Sequence, residues 1–407
     1  MLRILFLRYH ANPLFEHYTN QYLWEFVLLM VARIGVLRET DASENRVSMV
    51  PDLIGKLSAM GAEVVMEKGA GSSAHFMDSE YSSAGAELVE ERREILGSSD
   101  VILAIHGLDV DEIKNVRKGT ILIGMINLQG KDELSNSMTS AGMTVFSLNL
   151  MPRISRAQTM DVLSSQSSIS GYRAVLLGAF HSPRLFPMLT TAAGTVRPAK
   201  VLVIGAGVAG LMAIATARRL GAVVEAYDIR KTAGEDVRSL GARFLETKID
   251  ARATGGYARE LTPEEKNQQT DLIADAVSGA DVIITTASVP GRKAPVIISR
   301  NMIQRMKAGS VIIDLAADTG GNCEITRSGE TIIENDVMVS GPNNLPSEVP
   351  YQASQMYARN VLSFLSLLIS REGGIAGSFE DEILQACLLI NNGKLITKSH
   401  GTEVSKS

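Results

Sequence analysis

Residues 151–175, MPRISRAQTMDVLSSQSSISGYRAV, concentrate hydrogen-bonding side chains in one short stretch. Arginine donates hydrogen bonds, glutamine both donates and accepts them, and an ionised aspartate accepts them. One interpretation is a polar loop with a helix start, because serine favours caps over helix interiors. The other is that Arg153, Gln158, Asp161 and Ser164 line an interdomain cleft and bind a polar ligand there.

A glycine-rich motif follows downstream, in the sequence VLVIGAGVAG. Gly205, Gly207 and Gly210 stand at the spacing that permits a tight turn, close approach of a pyrophosphate to the backbone, and tight packing of a helix on a strand. The motif comes directly after an apolar run and opens a helical stretch, which is the context that a dinucleotide site needs. Glycines that serve packing alone remain the alternative.

The next apolar run ends at Asp228, about 20 residues further on, where an acidic side chain can accept hydrogen bonds from an adenosine ribose. A carboxylate at this position repels the 2′-phosphate of NADP, so the sequence favours NAD. Arg230 and Lys231 lie close by and weaken that distinction.

Composition narrows the class of protein. The 407 residues carry a formal net charge of −5 and are 45% hydrophobic, which is typical of two or three soluble globular domains and not of a nucleic-acid-binding protein. Two cysteines, Cys323 and Cys387, can form no disulfide framework and lack zinc-type spacing. We therefore expect a reducing compartment and no metal site.

Short apolar runs alternate with helical stretches from Arg33 onward. The runs RIGVL, EVVME, VILAI, TILIGMI and TVFSL predict strands of a buried parallel sheet. A second series begins near Lys200 with KVLVI and continues with VVEAYDI, ARFLE, DVIITTA, SVIIDLA and VMVSG, which predict a Rossmann-type sheet. The predicted fold class is α/β, with two doubly wound Rossmann-like domains separated by a nucleotide-binding cleft.

The predicted domains are discontinuous. Residues 163–351 form the nucleotide-binding domain, and residues 30–162 with 352–407 form the first α/β domain, because a buried helix after GPNNLPSEVP returns to it. The run YLWEFVLLMVA contains Glu25 and covers about half a membrane span. With no cleavage site after it, we expect residues 1–29 to be an extension outside the fold.

The segment RISRAQTMDVLSSQSSISGYRAV, taken with TAAGTVRPAKVLVIGAGVAGLMAIATARRLGA, TGGYARE, TTASVPGRKAP and GGNCE, resembles the NAD(H)-binding domain I of proton-translocating NAD(P) transhydrogenase, at the start of its alpha subunit. The resemblance extends from Met30 to the C-terminus. It implies that Arg153, Asp161 and Ser164 hold the nicotinamide and its carboxamide. Gln158 would reach the nicotinamide ribose and the approaching second nucleotide.

The resemblance also implies a set of cofactor-binding residues, namely Gly205, Gly207, Val208, Ala209, Gly210, Asp228, Ile229, Arg230 and Tyr257. Tyr257 lies in ARATGGYARELTPEE (251–265), which matches the family's mobile loop, with Gly255 and Gly256 as its hinge. An ordinary polar surface loop remains the alternative for this segment.

Partners follow from the same resemblance. A homodimer of this chain would bind NAD(H) and exchange hydride with NADP(H) held on an NADP-binding partner subunit. A membrane subunit would couple that exchange to proton translocation, which puts the chain in the cytoplasm at the inner face of a bacterial membrane.

Alanine dehydrogenase is the rival, because it shares the fold and much of the fingerprint. Its oxo-acid chemistry needs an arginine, a lysine and a histidine. Arg46 matches the arginine, but His106 and Asn127 stand where the lysine and histidine would be. Asp318 resembles the dehydrogenase aspartate and keeps this alternative open. A non-catalytic NAD-sensing module is a third possibility, although it would not need the Gln158 loop.

Overall fold

The computed structural model describes residues 31–246, 262–288, 292–370, 374–375 and 378–396. The predicted extension 1–29 and Tyr257, with its two hinge glycines, lie outside the described residues. The chain divides into two compact units. Unit 1 comprises the residues up to Thr40, Arg46–Val162 and the residues from Tyr357 onward, whereas unit 2 comprises Asp41–Asn45 and Leu163–Met356.

In chain order, the strands of both units are β1 (Ala32–Val36), β2 (Ala62–Glu67), β3 (Glu87–Val89), β4 (Val101–Leu103), β5 (Ile121–Gly124), β6 (Thr144–Ser147), β7 (Leu189–Thr191), β8 (Gly194–Val196), β9 (Lys200–Ile204), β10 (Val223–Tyr227), β11 (Arg243–Phe244), β12 (Val282–Thr285), β13 (Val311–Asp314), β14 (Thr331–Glu334), β15 (Val337–Ser340), β16 (Leu388–Asn391) and β17 (Lys394–Leu395).

The α-helices, again in chain order, are α1 (Pro51–Ala59), α2 (Asp78–Ser83), α3 (Arg92–Ser98), α4 (Val110–Ile113), α5 (Asp132–Ser140), α6 (Val162–His181), α7 (Val208–Arg219), α8 (Ala233–Ser239), α9 (Pro263–Gly279), α10 (Arg300–Ile303), α11 (Pro350–Leu368) and α12 (Glu382–Cys387). None of the helices in the described ranges is both long and apolar enough to cross a bilayer.

The sheet of unit 1 has the strand order β17-β16-β6-β5-β4-β1-β2-β3 among the described residues. Strands β1 to β6 pair in parallel, with Ile34 opposite Val64 and Leu103 opposite Ile123. The sequence prediction of parallel strands is confirmed for five of these six, β3 was not predicted, and β16 and β17 add antiparallel pairs at one edge. The direction of the chain along the sheet reverses at β1, which lies between β2 and β4.

The sheet of unit 2 has the order β11-β10-β9-β12-β13-β15-β14 among the described residues. All pairs are parallel except β14 with β15 at the edge. Strand β9 lies between β10 and β12, so the topological switch point falls between β9 and β12. In doubly wound folds, ligands bind beyond the carboxyl ends of the strands at such a point.

Both sheets bury their two faces, which explains the nearly continuous apolar runs in the sequence. Alternate residues of one strand enter separate cores: Val201 and Val203 pack on one side of β9, and Leu202 and Ile204 pack on the other. Ile102 and Leu103 divide in the same way in unit 1. The expected fold class of two doubly wound α/β sheets is thus confirmed.

Candidate functional site

The glycine turn joins β9 to α7 at the switch point of unit 2. Gly205 has φ of 96°, a left-handed conformation that glycine adopts without strain, and its N–H donates to the carbonyl of Tyr227 at 2.8 Å. A methyl group at Gly210 would lie 1.8 Å from the carbonyl oxygen of Gly205, so only glycine lets the helix approach the strand this closely. Two of the three glycines therefore shape the turn itself.

Gly207 differs from its two neighbours. A Cβ atom built at this residue meets nothing within 4 Å, and its φ of −80° is open to any residue. Gly207 is the N-cap of α7, and Val208 and Ala209 form its first turn. Helix N-termini present unpaired N–H groups and a partial positive charge, which suit an anion such as a diphosphate. Because Gly207 has no side chain, there is room for that group next to the helix N-terminus.

Asp228 follows the last residue of β10 and is buried. Its Oδ2 accepts a hydrogen bond from the N–H of Ala206 at 2.8 Å, so the carboxylate fixes the glycine turn directly. Its Oδ1 accepts from the N–H of Arg230, also at 2.8 Å. The Arg230 guanidinium completes the arrangement, with Nε 3.0 Å from Oδ1 and Nη2 3.0 Å from Oδ2. Ile229 lies between the two charged residues and is half-buried.

Helix α6 contains five of the six serines of residues 151–175 and packs on the glycine turn of unit 2. A methyl group at Gly171 would lie 2.0 Å from the carbonyl oxygen of Ala209, so the helix backbone packs directly on the start of α7. Ser164 and Ser168 stand seven and three residues before Gly171, which places all three on one helix face. At 1.5 Å per residue, Ser164 lies about 10 Å along the axis from this contact.

The segment before α6 belongs to unit 1 and is held at two points. Residues Ser155–Met160 form a 3₁₀ helix with Gln158 exposed, and Arg153 just before it is exposed as well. The Arg156 guanidinium pairs with Asp381 at 2.6 Å, and the amide of Asn360 donates to the carbonyl of Thr159 at 2.7 Å. The segment that carries Gln158 is therefore fixed by side chains from two other parts of unit 1.

The ion pair between Arg156 and Asp381 shifts the pKa of the aspartate. The hydrogen bond from Arg156 lowers the pKa of Asp381 below its ordinary value, and the N–H of Ile383 adds to the effect. Asp381 is also the N-cap of α12, accepting from that N–H at 2.8 Å. One carboxylate thus starts the helix and holds the segment. Asp161, half-buried, follows the 3₁₀ helix directly.

Sequence reasoning missed a buried polar network at the carboxyl end of β13. The Asp314 carboxylate accepts from the hydroxyls of Thr285 and Thr326 and from three backbone N–H groups, including that of Asn322 at 2.7 Å. The Asn322 side chain in turn bonds both backbone groups of Ala287 and the carbonyl of Pro295. The network fixes Ala287 and Pro295, which follow β12. The pattern of an aspartate that ends an apolar run, followed by GGNCE, was its only sequence clue.

Thr286, next to Ala287, contacts the glycine turn. The Thr286 hydroxyl donates to the carbonyl of Gly205 at 3.0 Å, and a methyl group at Gly205 would lie 2.5 Å from the same hydroxyl. The Asp314 network therefore helps to position Thr286, which contacts the glycine turn.

The residues that decide the dehydrogenase alternative lie within the described ranges. Arg46 is buried, whereas His106 and Asn127 are exposed just beyond the adjacent strands β4 and β5. The Asn127 side-chain oxygen accepts from the N–H of Gln129, and Asp318 accepts from the Ser328 hydroxyl at 2.8 Å. Sequence reasoning did not single out Glu39, whose carboxylate accepts from the N–H groups of Ile105 and His106.

The predicted site residues thus fall into two groups. Arg153, Gln158 and Asp161 share one short segment of unit 1. Unit 2 holds the others that are described: Ser164, Gly205, Gly207, Val208, Ala209, Gly210, Asp228, Ile229 and Arg230. Within unit 2 the structure brings the glycine turn, Asp228 and Arg230 into direct contact.

Each unit has a doubly wound sheet, and in unit 2 the glycine turn is hydrogen-bonded to the aspartate that follows a strand. This arrangement defines a two-domain Rossmann-like protein of the dinucleotide-binding class. Family models identify it more narrowly. The N-terminal domain model of alanine dehydrogenase/PNT matches residues 35–170, and the C-terminal domain model matches residues 174–398. The chain belongs to this family, which confirms the resemblance inferred from sequence.

Individual relatives separate the two branches of the family. The chain is 39% identical to the first part of the NAD(P) transhydrogenase alpha subunit of Rhodospirillum rubrum, over 89% of this chain and 97% of the relative. A transhydrogenase structure from Sinorhizobium meliloti is 40% identical with a TM-score of 0.82, covering 89% of this chain and all of that one. Identity to alanine dehydrogenase of Bacillus subtilis is 29%, over 88% and 91% of the two chains.

Proposed function

We propose that this chain is the NAD(H)-binding subunit of an NAD(P) transhydrogenase, exchanging hydride between NAD(H) and NADP(H) held on a partner subunit. The observation that carries the proposal is the glycine turn at the start of α7, where a Cβ at Gly207 would meet no atom within 4 Å and the buried Asp228 carboxylate accepts from the N–H of Ala206. The higher identity to transhydrogenase subunits than to alanine dehydrogenase supports the branch of the family.

The residues of unit 2 would bind the adenosine half of the dinucleotide. The N–H groups at the start of α7 suit the diphosphate, with Val208 and Ala209 beside it. Asp228 suits the ribose hydroxyls, and its charge disfavours a 2′-phosphate. Because the Arg230 guanidinium is committed to that carboxylate, its proximity does not by itself argue for NADP.

The nicotinamide end supplies the hydride when the dinucleotide is bound. Arg153, Asp161 and Ser164 would orient its carboxamide, since the group offers both donors and an acceptor. Gln158 would reach the ribose and the second nucleotide from a segment that Asp381 and Asn360 hold in place. Tyr257 would cover the bound nucleotide. Orientation of this kind supplies much of the catalysis in hydride transfer.

Homodimer formation has support from an apolar surface on unit 2. Five exposed large hydrophobic residues lie between residues 180 and 196, namely Phe180, Leu185, Met188, Leu189 and Val196. They flank or form the hairpin of β7 and β8, whose residues are all exposed. A two-stranded hairpin is marginally stable alone, so a second copy that covers it would stabilise it.

The remaining parts of the proposal concern the assembly. A membrane subunit would couple hydride exchange to proton translocation, with this chain in the cytoplasm at the inner face of the bacterial membrane. The functional domains would be residues 30–162 with 352–407, and residues 163–351, with residues 1–29 outside the fold. The word "subunit" in the names of the relatives supports a complex.

Gln158→Asn tests the mechanism. The change shortens the side chain by one methylene, and misplacement of about 1 Å can cost about 100-fold in rate where positioning dominates catalysis. We expect the NADH affinity, from fluorescence titration, to change little. Single-turnover hydride transfer in the complex with an NADP-binding subunit should fall steeply.

The exposed Gln304 offers a matched control, since Gln304→Asn makes the same change in unit 2, outside every predicted site segment. An unchanged transfer rate in Gln158→Asn would remove Gln158 from the mechanism. Pyruvate- and ammonium-dependent NADH oxidation that Asp318→Ala abolishes would instead favour alanine dehydrogenase, the second candidate, which Asp318 supports.

A further inference from the structure

The carboxylate of Asp228 accepts at least four hydrogen bonds, two from backbone N–H groups and two from the Arg230 side chain. An ionised carboxylate has about four acceptor positions. Its accepting capacity is therefore largely used. A ribose that binds to Asp228 through its hydroxyls must replace donors that are already in place.

The four donors are not equally replaceable. The N–H of Ala206 belongs to the glycine turn, and the N–H of Arg230 belongs to the backbone two residues along, so both stay with the fold. The guanidinium ends a side chain that is 26% exposed and can rotate outward. Its two donors, one to each carboxylate oxygen, equal in number the two hydroxyls of an adenosine ribose.

We propose that the Arg230 guanidinium holds the place of the adenosine ribose diol on Asp228 and leaves when the nucleotide binds. The inference rests on the proposed function, in which Asp228 receives that ribose. The charge of a buried carboxylate is costly to leave without a counter-charge, and the Arg230 guanidinium supplies one. The same pair then competes with the ligand and lowers its affinity.

The competition affects the two cofactors differently. The ribose of NADH offers two hydroxyl donors that can take over both carboxylate oxygens. A 2′-phosphate offers no hydrogen to one of them and adds negative charge, so it cannot replace the guanidinium on Asp228. The guanidinium therefore competes with NADH, which takes over both carboxylate oxygens, more than with NADPH, although an arginine near the ribose site is commonly associated with a preference for NADP.

Arg230→Lys is the informative variant, because lysine keeps the positive charge near the proposed diphosphate site but cannot bridge two carboxylate oxygens with a planar fork. We expect NADH and ADP to bind roughly 3- to 10-fold more tightly, which corresponds to about 0.7–1.4 kcal/mol. The gain should be smaller for 2′-deoxy-ADP, which replaces only one donor, and NADPH should gain least.

The matched control is Arg243→Lys, which alters the ion pair with Glu225 on the neighbouring strands and leaves Asp228 untouched. Its affinities should equal those of the unaltered protein. Weaker NADH binding in Arg230→Lys would make Arg230 a direct nucleotide ligand, and unchanged binding would mean that the pair does not compete. Either result overturns the inference.

A crystal structure of the unaltered protein with NADH provides a test that needs no variant. The guanidinium should have left at least one Asp228 oxygen, with a ribose hydroxyl in its place. Finding Arg230 still on both oxygens beside bound NADH would refute the inference but leave the proposed function intact. Failure of the unaltered protein to bind NADH or ADP would refute the proposed function itself.

Discussion

At the scale of single residues, the three glycines of the turn have different physical duties. The fold requires glycine at two of them: Gly205 has a positive φ, and Gly210 packs too closely on Gly205 to carry a side chain. Neither constraint applies to Gly207, because its backbone conformation and its surroundings would accept alanine. Because Gly207 is also the N-cap of α7, the absence of a side chain there is what we expect if a ligand diphosphate binds at this helix end.

Gly207→Ala and Gly210→Ala should therefore separate binding from stability. Gly207→Ala should change the free energy of unfolding by less than about 0.5 kcal/mol, as surface substitutions do, while NADH affinity falls about tenfold or more because the methyl group fills the space for the diphosphate. Gly210→Ala should lose about 2–3 kcal/mol of stability through overpacking. Urea unfolding and fluorescence titration measure both quantities.

The opposite pattern, with stability lost in Gly207→Ala and binding retained, would show that the glycines serve packing only. The glycine motif and Asp228 were predictable from sequence because their chemistry is local, within one strand-turn-helix unit. The pairing of Arg230 with Asp228 was not, since the choice between a ligand phosphate and a neighbouring carboxylate depends on side-chain conformation.

At the scale of elements, the strands that sequence predicted are those buried on both faces, whose apolar runs are almost unbroken. The short strands β3, β14, β16 and β17 were not predicted: β14 alternates exposed and half-buried residues, β16 alternates buried and half-buried ones, and β17 is exposed. The loop after β12 was matched to a motif, but its support from Asp314 and Asn322 was not predicted. Those contacts join residues about 27 to 35 positions apart, beyond any local pattern.

The ion pair between Arg156 and Asp381, which holds the Gln158 segment, leads to a prediction about how stability depends on pH. Because the pKa of Asp381 is lowered in the folded protein, its ion pair stabilises the fold above the unfolded value of about 3.9 and stops doing so as pH falls through the lower folded value. Asp381→Asn keeps a good N-cap for α12 but removes the charge. Its destabilisation relative to the unaltered protein should be present at pH 7 and shrink below pH 4.

Urea unfolding at pH 7 and pH 3 measures that difference. Asp275→Asn in unit 2 is a suitable control, because it removes an exposed carboxylate on α9 that lies 3.9 Å from the Arg305 guanidinium. An Asp381→Asn variant that is equally destabilised at both pH values would mean that the ion pair contributes nothing and that the amide simply caps α12 poorly.

At the scale of the whole molecule, the two units each bury a doubly wound sheet, yet one part of unit 2 leaves apolar side chains in contact with water. Phe180 is 81% exposed and Met188 is 64% exposed, on either side of the turn that leads into the β7–β8 hairpin. Contiguous apolar patches mark interaction surfaces, and this is the reason for proposing the hairpin region as the contact between copies. No feature of the sequence predicted this hairpin, because its strands have three residues each and no buried face.

If the hairpin region holds two copies together, charged residues there should separate them without disturbing the nucleotide site. We expect the double variant Phe180→Glu with Met188→Glu to sediment as a monomer, because dimerisation would bury both carboxylates without partners. Its NADH affinity should stay close to that of the unaltered protein, since neither residue belongs to the glycine turn or to the Asp228 pair. The double variant Met77→Glu with Ile333→Glu places the same charges on other exposed apolar residues and should remain dimeric. If both double variants dissociate, or neither does, the hairpin region is not the specific contact between copies, and an unaltered protein that sediments as a monomer would refute the homodimer itself.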